Sequence, residues 1–169
     1  MPNTPTSLLD PSLASPLSRL SEDEQMFRDT VRQFAGETIG PSVRKMDEDQ
    51  HFRPDLLPQL FNLGLMGIEI PAEYGGSGGT FFEAILAVEE ISAIDPSVGV
   101  LVDVQNTLCI NALVRWATEA QKKQYLPRLA TDMVGAYALS EASSGSDAFA
   151  LEPRAEKRGG NYVLPGQQL

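Results

Sequence analysis

Between Phe81 and Trp116 the chain is apolar over two long stretches, broken only at Asp95-Pro96-Ser97. Phe81 to Ile94 predicts a largely buried helix. A second helix is expected from about Val98 to Trp116, with Asp103, Asn106 and Asn111 as polar insertions. Apolar helices of this length need other apolar faces to cover them. Glu89 and Glu90 are expected to be exposed or paired. Adjacent helix residues do not share a face, so they make a poor acid–base couple.

The flanking sequence supplies the covering faces. Ser21-Glu22-Asp23-Glu24 reads as a capping box, with acidic residues at the positive end of a helix. Phe27, Val31 and Phe34 recur at helical spacing, extended by Ala35 and Ile39. Gly40-Pro41 should interrupt the helix, which Val43 and Met46 resume. Leu56, Leu57, Leu60 and Phe61 form the face of another helix, with Gly64 as its C-terminal cap. Thr118-Glu119-Ala120-Gln121 resembles a second capping box and opens a short helix ending near Leu126-Pro127.

After about Asp132 the character changes. Gly135 to Leu139 is short and apolar and reads as a buried strand. Arg154 to Arg158 and Asn161 to Leu164 flank Gly159-Gly160 as a hairpin. The expected fold class is α+β. Residues 1–18 form a disordered tail, 19–133 an all-helical domain, and 134–169 the opening strands of a β domain.

Several function classes are disfavoured. The net charge of -10 argues against a general nucleic-acid surface. Cys109 is the only cysteine, so no intramolecular disulfide is possible; on an apolar helix it reads as a core residue. His51, the only histidine, has no Cys or second His partner and reads as a surface residue, so no metal site is expected. Trp116 reads as a packing anchor. No apolar run approaches the ~20 residues needed to span a bilayer. Gly76-Ser77-Gly78 starts a dinucleotide-binding pattern, but Phe81 holds the third glycine position and no P-loop Lys follows. A structural loop is the better reading. Met1 to Ser18, rich in Pro, Ser and Thr, is a poor secretory or transit signal. A bacterial cytoplasmic protein fits best, with the mitochondrial matrix as the alternative.

The segment Tyr137-Ala138-Leu139-Ser140-Glu141-Ala142-Ser143-Ser144-Gly145-Ser146-Asp147 carries the chemistry. Small side chains let backbone approach a ligand closely, and hydroxyls with N–H groups receive anions. By residue type alone an ordinary surface loop is the commoner outcome. The order of Ala138, Leu139, Ser140, Glu141, Ser144, Gly145, Ser146, Asp147 and Ala150, however, resembles the first signature of the acyl-CoA dehydrogenases. Ser143 and Ser144 stand where that family often has Gly or Ala. The resemblance extends to Gly64-Leu65-Met66-Gly67-Ile68, Pro71, Glu73-Tyr74-Gly75-Gly76, Ala87-Val88-Glu89-Glu90-Ile91, and Thr118 to Pro127. It covers roughly Leu20 to Leu169. Val104 to Leu108 and Ala138 to Leu151 most resemble the short/branched-chain branch.

The resemblance implies a helical N-terminal domain, a middle β domain and a C-terminal helical bundle, the last absent from this sequence. It implies FAD as cofactor and α,β-dehydrogenation of an acyl-CoA. Electrons would pass to an electron-transfer flavoprotein, and the full-length protein would be a tetramer. Tyr137, Ala138, Leu139 and Ser140 would lie along the flavin, and Gly145 and Ser146 near its phosphates and the CoA. Ser146 would contact substrate, with Leu101 and Gln105 as candidates for the acyl-chain wall. The family's catalytic Glu belongs to the C-terminal domain, so no residue here inherits it. An acyl-CoA oxidase-like flavoenzyme and a non-catalytic interaction fragment are the alternatives. From the local sequence alone, Ser21→Ala is expected to cost about 1 kcal/mol in denaturant unfolding.

Overall fold

A computed structural model describes residues 19–166. The elements are α1 (Glu22–Phe34), α2 (Val43–Asp49), α3 (Leu56–Asn62), α4 (Phe81–Ser92), α5 (Pro96–Asp103), α6 (Asn111–Trp116), α7 (Glu119–Thr131), β1 (Glu156–Arg158) and β2 (Asn161–Val163). Two stretches of wider π-helix, Ala35–Ile39 and Val104–Ile110, interrupt the regular turns. The expected tail, residues 1–18, lies outside the described residues.

Side chains fix the helix starts. Ser21 Oγ accepts from Glu24 N at 3.2 Å, while Glu24 Oε2 accepts from Ser21 N at 2.7 Å. Thr118 and Gln121 repeat this reciprocal box at α7. A third box, Thr80 with Glu83, opens α4; its T-x-x-E spelling is present in the sequence but went unread above. Asp95, expected only to break the apolar pattern, caps α5 by accepting from Ser97 N and Val98 N.

The helices close around one main core. α1 and its π extension contribute Val31, Ala35 and Ile39, and α3 contributes Leu56 and Leu60. Ala84, Ala87 and Ile91 of α4 meet Val98 and Val102 of α5. A second cluster joins Ile70 and Ile110 to Leu126, Leu129 and Ala130 of α7. Across the α1–α4 contact, Arg32 donates from Nε and Nη2 to both carboxylate oxygens of Glu90, at 2.7 and 2.8 Å. The Glu90 side chain is only 9% exposed, so this charge is held inside by a two-pronged partner.

Five sequence expectations change. α5, the π segment and α6 form one helical rod, Pro96–Trp116, of 21 residues. By length and composition it could cross a membrane, contrary to the reading above, yet here it packs against α4 and carries buried Gln105 and Asn106. α7 continues through Pro127 to Thr131, because burial of Leu126, Leu129 and Ala130 on both sides of the ring outweighs its lost backbone donor. α4 is buried on one face only: Phe81 and Ile85 remain exposed on the other. Trp116 is 85% exposed at the end of α6, so among the described residues it is not the packing anchor expected. Segment 135–139 has no ladder partner among the described residues, and Tyr137 is exposed, so it is neither buried nor a strand here. The hairpin is as expected, with Lys157 paired to Tyr162 and both strands exposed along their length.

The short helical turn at Ala72–Tyr74 is tied to α7 by Tyr74 Oη, which donates to Glu119 Oε2 at 2.8 Å. Bonding to that carboxylate pushes the Tyr74 phenol up to about 12, and Tyr74 together with Lys122 holds the Glu119 carboxyl below its usual range. The folded phenol keeps its proton more tightly than the unfolded one. The bond therefore supports folding fully below pH ~10 and loses that support as pH rises toward 12. Tyr74→Phe is expected to remove the latest-titrating phenol from an ultraviolet absorbance titration and to flatten the alkaline loss of stability.

Candidate functional site

Two buried amides on consecutive residues of the π segment serve opposite sides of the rod, and only Gln105 reaches the segment that follows α7. Asn106, fully buried, donates from Nδ2 to Leu65 O (2.8 Å) and Val102 O (2.9 Å) and accepts from Ile68 N at 3.0 Å. It thereby satisfies Leu65 O and Ile68 N of the irregular connector 65–70, while the N–H groups of Ser77, Gly78 and Gly79 donate to Gly67 O, Ile70 O and Ile68 O. Gln105 is also fully buried and looks the other way. It donates from Nε2 to Leu129 O and Met133 O, both at 3.0 Å, and accepts from Gly135 N at 2.7 Å.

Beyond Gly135 the chain folds into a small looped unit. Glu141 and Ser144 exchange backbone hydrogen bonds at 2.9 and 3.1 Å. Ser144 Oγ donates to Asp147 O at 2.7 Å, and Asp147 Oδ1 accepts from Phe149 N at 3.3 Å. Glu141 is buried, and its Oε2 accepts from Glu152 N at 3.0 Å. Both acids of the signature are thus engaged in holding the loop.

What remains faces outward. Tyr137, Ala138, Ser140, Gly145 and Ser146 are exposed and Leu139 is half-buried. Among the described residues, the Ser140 and Ser146 hydroxyls and the Gly145 and Ser146 N–H groups have no internal partner. A Cβ at Gly145 would meet nothing within 4 Å, so the fold itself does not demand a glycine there. Free donors on a small-residue loop suit a polar group with anionic edges, which is what FAD presents.

Tyr137 also borders a groove of about 390 Å³ that it shares with Phe81, Thr107, Leu108, Ala112 and Trp116. A neighbouring groove of about 430 Å³ continues past Phe81 and Thr107 along the exposed side of α4, by Ile85 and Val88. Leu101 and Gln105, expected as acyl-wall candidates, do not reach these grooves. Leu101 packs on the main core, and Gln105 is enclosed by the backbone it binds. In a regular α-helix Leu101, Gln105 and Leu108 (i, i+4, i+7) would share a face; the wider turns of Val104–Ile110 shift that phase, so Gln105 is enclosed while Thr107 and Leu108 line the groove.

Arg115 and Asn111 line the first groove, and Glu89 and Asp103 the second. Glu69 Oε2 accepts from Asn111 Nδ2 at 3.2 Å, and partial burial pushes its carboxyl up despite the opposing field of Arg115. Burial likewise pushes the Cys109 thiol up, which disfavours the thiolate. Among the described residues no three His, Cys, Asp or Glu side chains are grouped to hold a metal ion.

The architecture is a capped helical domain followed by an outward-facing small-residue segment. The acyl-CoA dehydrogenase N-terminal domain matches residues 21–132, and the chain belongs to the acyl-CoA dehydrogenase family. It is 42% identical to the mitochondrial short/branched chain specific acyl-CoA dehydrogenase of Bos taurus over 159 residues. That alignment covers 94% of this chain and 37% of the relative. Butyryl-CoA dehydrogenase from Megasphaera elsdenii superposes with a TM-score of 0.81 at 32% identity, covering 88% of this chain and 40% of that one. A glutaryl-CoA dehydrogenase from Mycobacterium smegmatis in complex with FADH2 gives 0.80 at 32% identity, covering 87% and 38%. The chain thus spans about two-fifths of the length of these relatives.

Replacing Asn106 by Leu strands Leu65 O and Ile68 N in the interior. A loss of about 3 kcal/mol in denaturant unfolding is expected, with the slope of the transition unchanged.

Proposed function

We propose that this chain supplies the flavin-facing and part of the acyl-facing surface of an enzyme that dehydrogenates short or branched acyl-CoA thioesters to 2-enoyl-CoA. The observation that carries this reading is the meeting at Tyr137 of a loop with free donors and an apolar groove along α4 and the π segment. A cofactor with anionic edges and an acyl chain require those two surfaces side by side.

In this reading Tyr137, Ala138, Leu139 and Ser140 line the flavin, and Gly145 and Ser146 receive its phosphates. Held by these residues, FAD would supply the acceptor for the β-hydride, and a carboxylate outside this chain would remove the α-proton. This chain's residues orient the two partners and exclude water. Thr107 and Leu108 replace Leu101 and Gln105 as the acyl wall, and Ser146 meets the CoA. Glu141 accepts from Glu152 N inside the loop and is no candidate for the base. The base, the remaining flavin contacts and the tetramer surfaces belong to the rest of the longer protein. Electron-transfer flavoprotein is the proposed acceptor. The mitochondrial relative supports the mitochondrial matrix as an alternative to a bacterial cytoplasm.

Two assays test the reading. The 169-residue chain alone should show no turnover of a short acyl-CoA with an artificial electron acceptor and should hold FAD weakly. Turnover by that chain overturns the division of labour. The complete protein should purify yellow and bleach when a short or branched acyl-CoA is added; failure of the flavin to bleach overturns the dehydrogenase reading.

A further inference from the structure

Segment 135–140 is fastened to the helical domain at one point. Among the described residues its backbone makes a single hydrogen bond to that domain, from Gly135 N to Gln105 Oε1. The Gln105 amide is fully buried; its oxygen accepts from Gly135 N, and both of its N–H donors are used, toward Leu129 O and Met133 O. Only this orientation of the amide satisfies both carbonyls and the N–H. The side chain therefore sets the distance between the end of α7 and the start of the segment. Gly135 makes the approach possible. A Cβ there would lie 2.7 Å from Cys109 Cβ and 2.8 Å from Cys109 Sγ, on the same helical rod as Gln105.

We propose that Gln105 is a positioning residue for the flavin. It fixes where the segment leaves the helical domain, and so where Tyr137, Leu139 and Ser140 meet the cofactor, without touching flavin or substrate. The inference rests on the flavin-facing reading above. With one tether and no ladder partner, freedom gained at Gly135 passes directly to Tyr137 two residues on. Displacements of a single ångström are enough to degrade a binding or reaction geometry.

The test uses the complete protein and FAD. Gln105→Met preserves the volume and removes all three hydrogen bonds. Gly135→Ala keeps the amide and pushes the segment off Cys109. Each variant should weaken FAD binding roughly tenfold and raise hydrogen exchange at the amides of 135–140, with far-ultraviolet circular dichroism unchanged. Asn106→Leu is the control: it breaks the adjacent buried amide, lowers the melting temperature, and should leave FAD affinity of the folded protein within about twofold.

Unchanged FAD affinity in Gln105→Met and Gly135→Ala overturns the inference and leaves the flavin reading standing. An equal loss in Asn106→Leu also overturns it, since general destabilisation would then account for the effect. If Gln105→Met does not fold, Gly135→Ala decides alone. If the unsubstituted complete protein fails to bind FAD, the flavin reading itself falls, and the inference with it.

Discussion

Gln105 and Asn106 form hydrogen bonds that helices and strands leave unmade in this chain. The connector 65–70 runs through the interior, with Leu65, Met66, Ile68 and Ile70 all buried, and it has no strand partner. Buried backbone of that kind is tolerated only when its polar groups find partners. Asn106 provides them on one side of the rod, and Gln105 closes the end of α7 on the other. Two neighbouring helix residues can serve opposite sides because successive positions are offset by about a quarter turn or more. The wider π turn accommodates both amides within an otherwise continuous rod. Asn106 holds part of the connector, and Gln105 joins the end of α7 to the start of the outgoing segment.

α4 is used on both sides for different purposes. Its inner face, Ala84, Ala87 and Ile91, is packed into the main core, and Glu90 beside it is held by Arg32 from α1. Its outer face presents Phe81 and Ile85, 52% and 42% exposed, along the two grooves that meet near Phe81. Apolar side chains in a continuous exposed row mark a surface that takes a ligand or further protein. Both occupants fit a chain that spans about two-fifths of its relatives' length.

Much of this was legible before any coordinates. The boxes at Ser21 and Thr118 and the Gly159-Gly160 hairpin are local signals, each written in a few adjacent residues, and each forms as read. The Thr80 box is equally local, its Thr and Glu three residues apart directly after the Gly75–Gly79 turn. Other features depend on partners far along the chain. Pro127 terminates a helix by local rules, but burial of Leu126 and Leu129 against Ile70 and Ile110 carries the helix past it. Gln105 looks like one more polar position on an apolar helix until Leu129, Met133 and Gly135, 24 to 30 residues away, are brought to it. Trp116 and residues 135–139 were expected inside because they are apolar, yet among the described residues nothing covers them.

The electrostatics of the signature loop follow from the same geometry. A chain with a net charge of -10 is a poor host for phosphates on average. Average charge acts weakly at a contact, however, because exposed charges beyond about 8–10 Å are screened at ordinary salt. What an approaching anion meets is set by the loop itself. Glu141 is turned inward onto Glu152 N, and Asp147 accepts from Phe149 N, so both carboxylates already have donors within the loop. Among the described residues, the Ser140 and Ser146 hydroxyls and the Gly145 N–H remain on the outer side without internal partners. The bonds of the two acids hold the backbone in the shape that leaves those donors on the outer side.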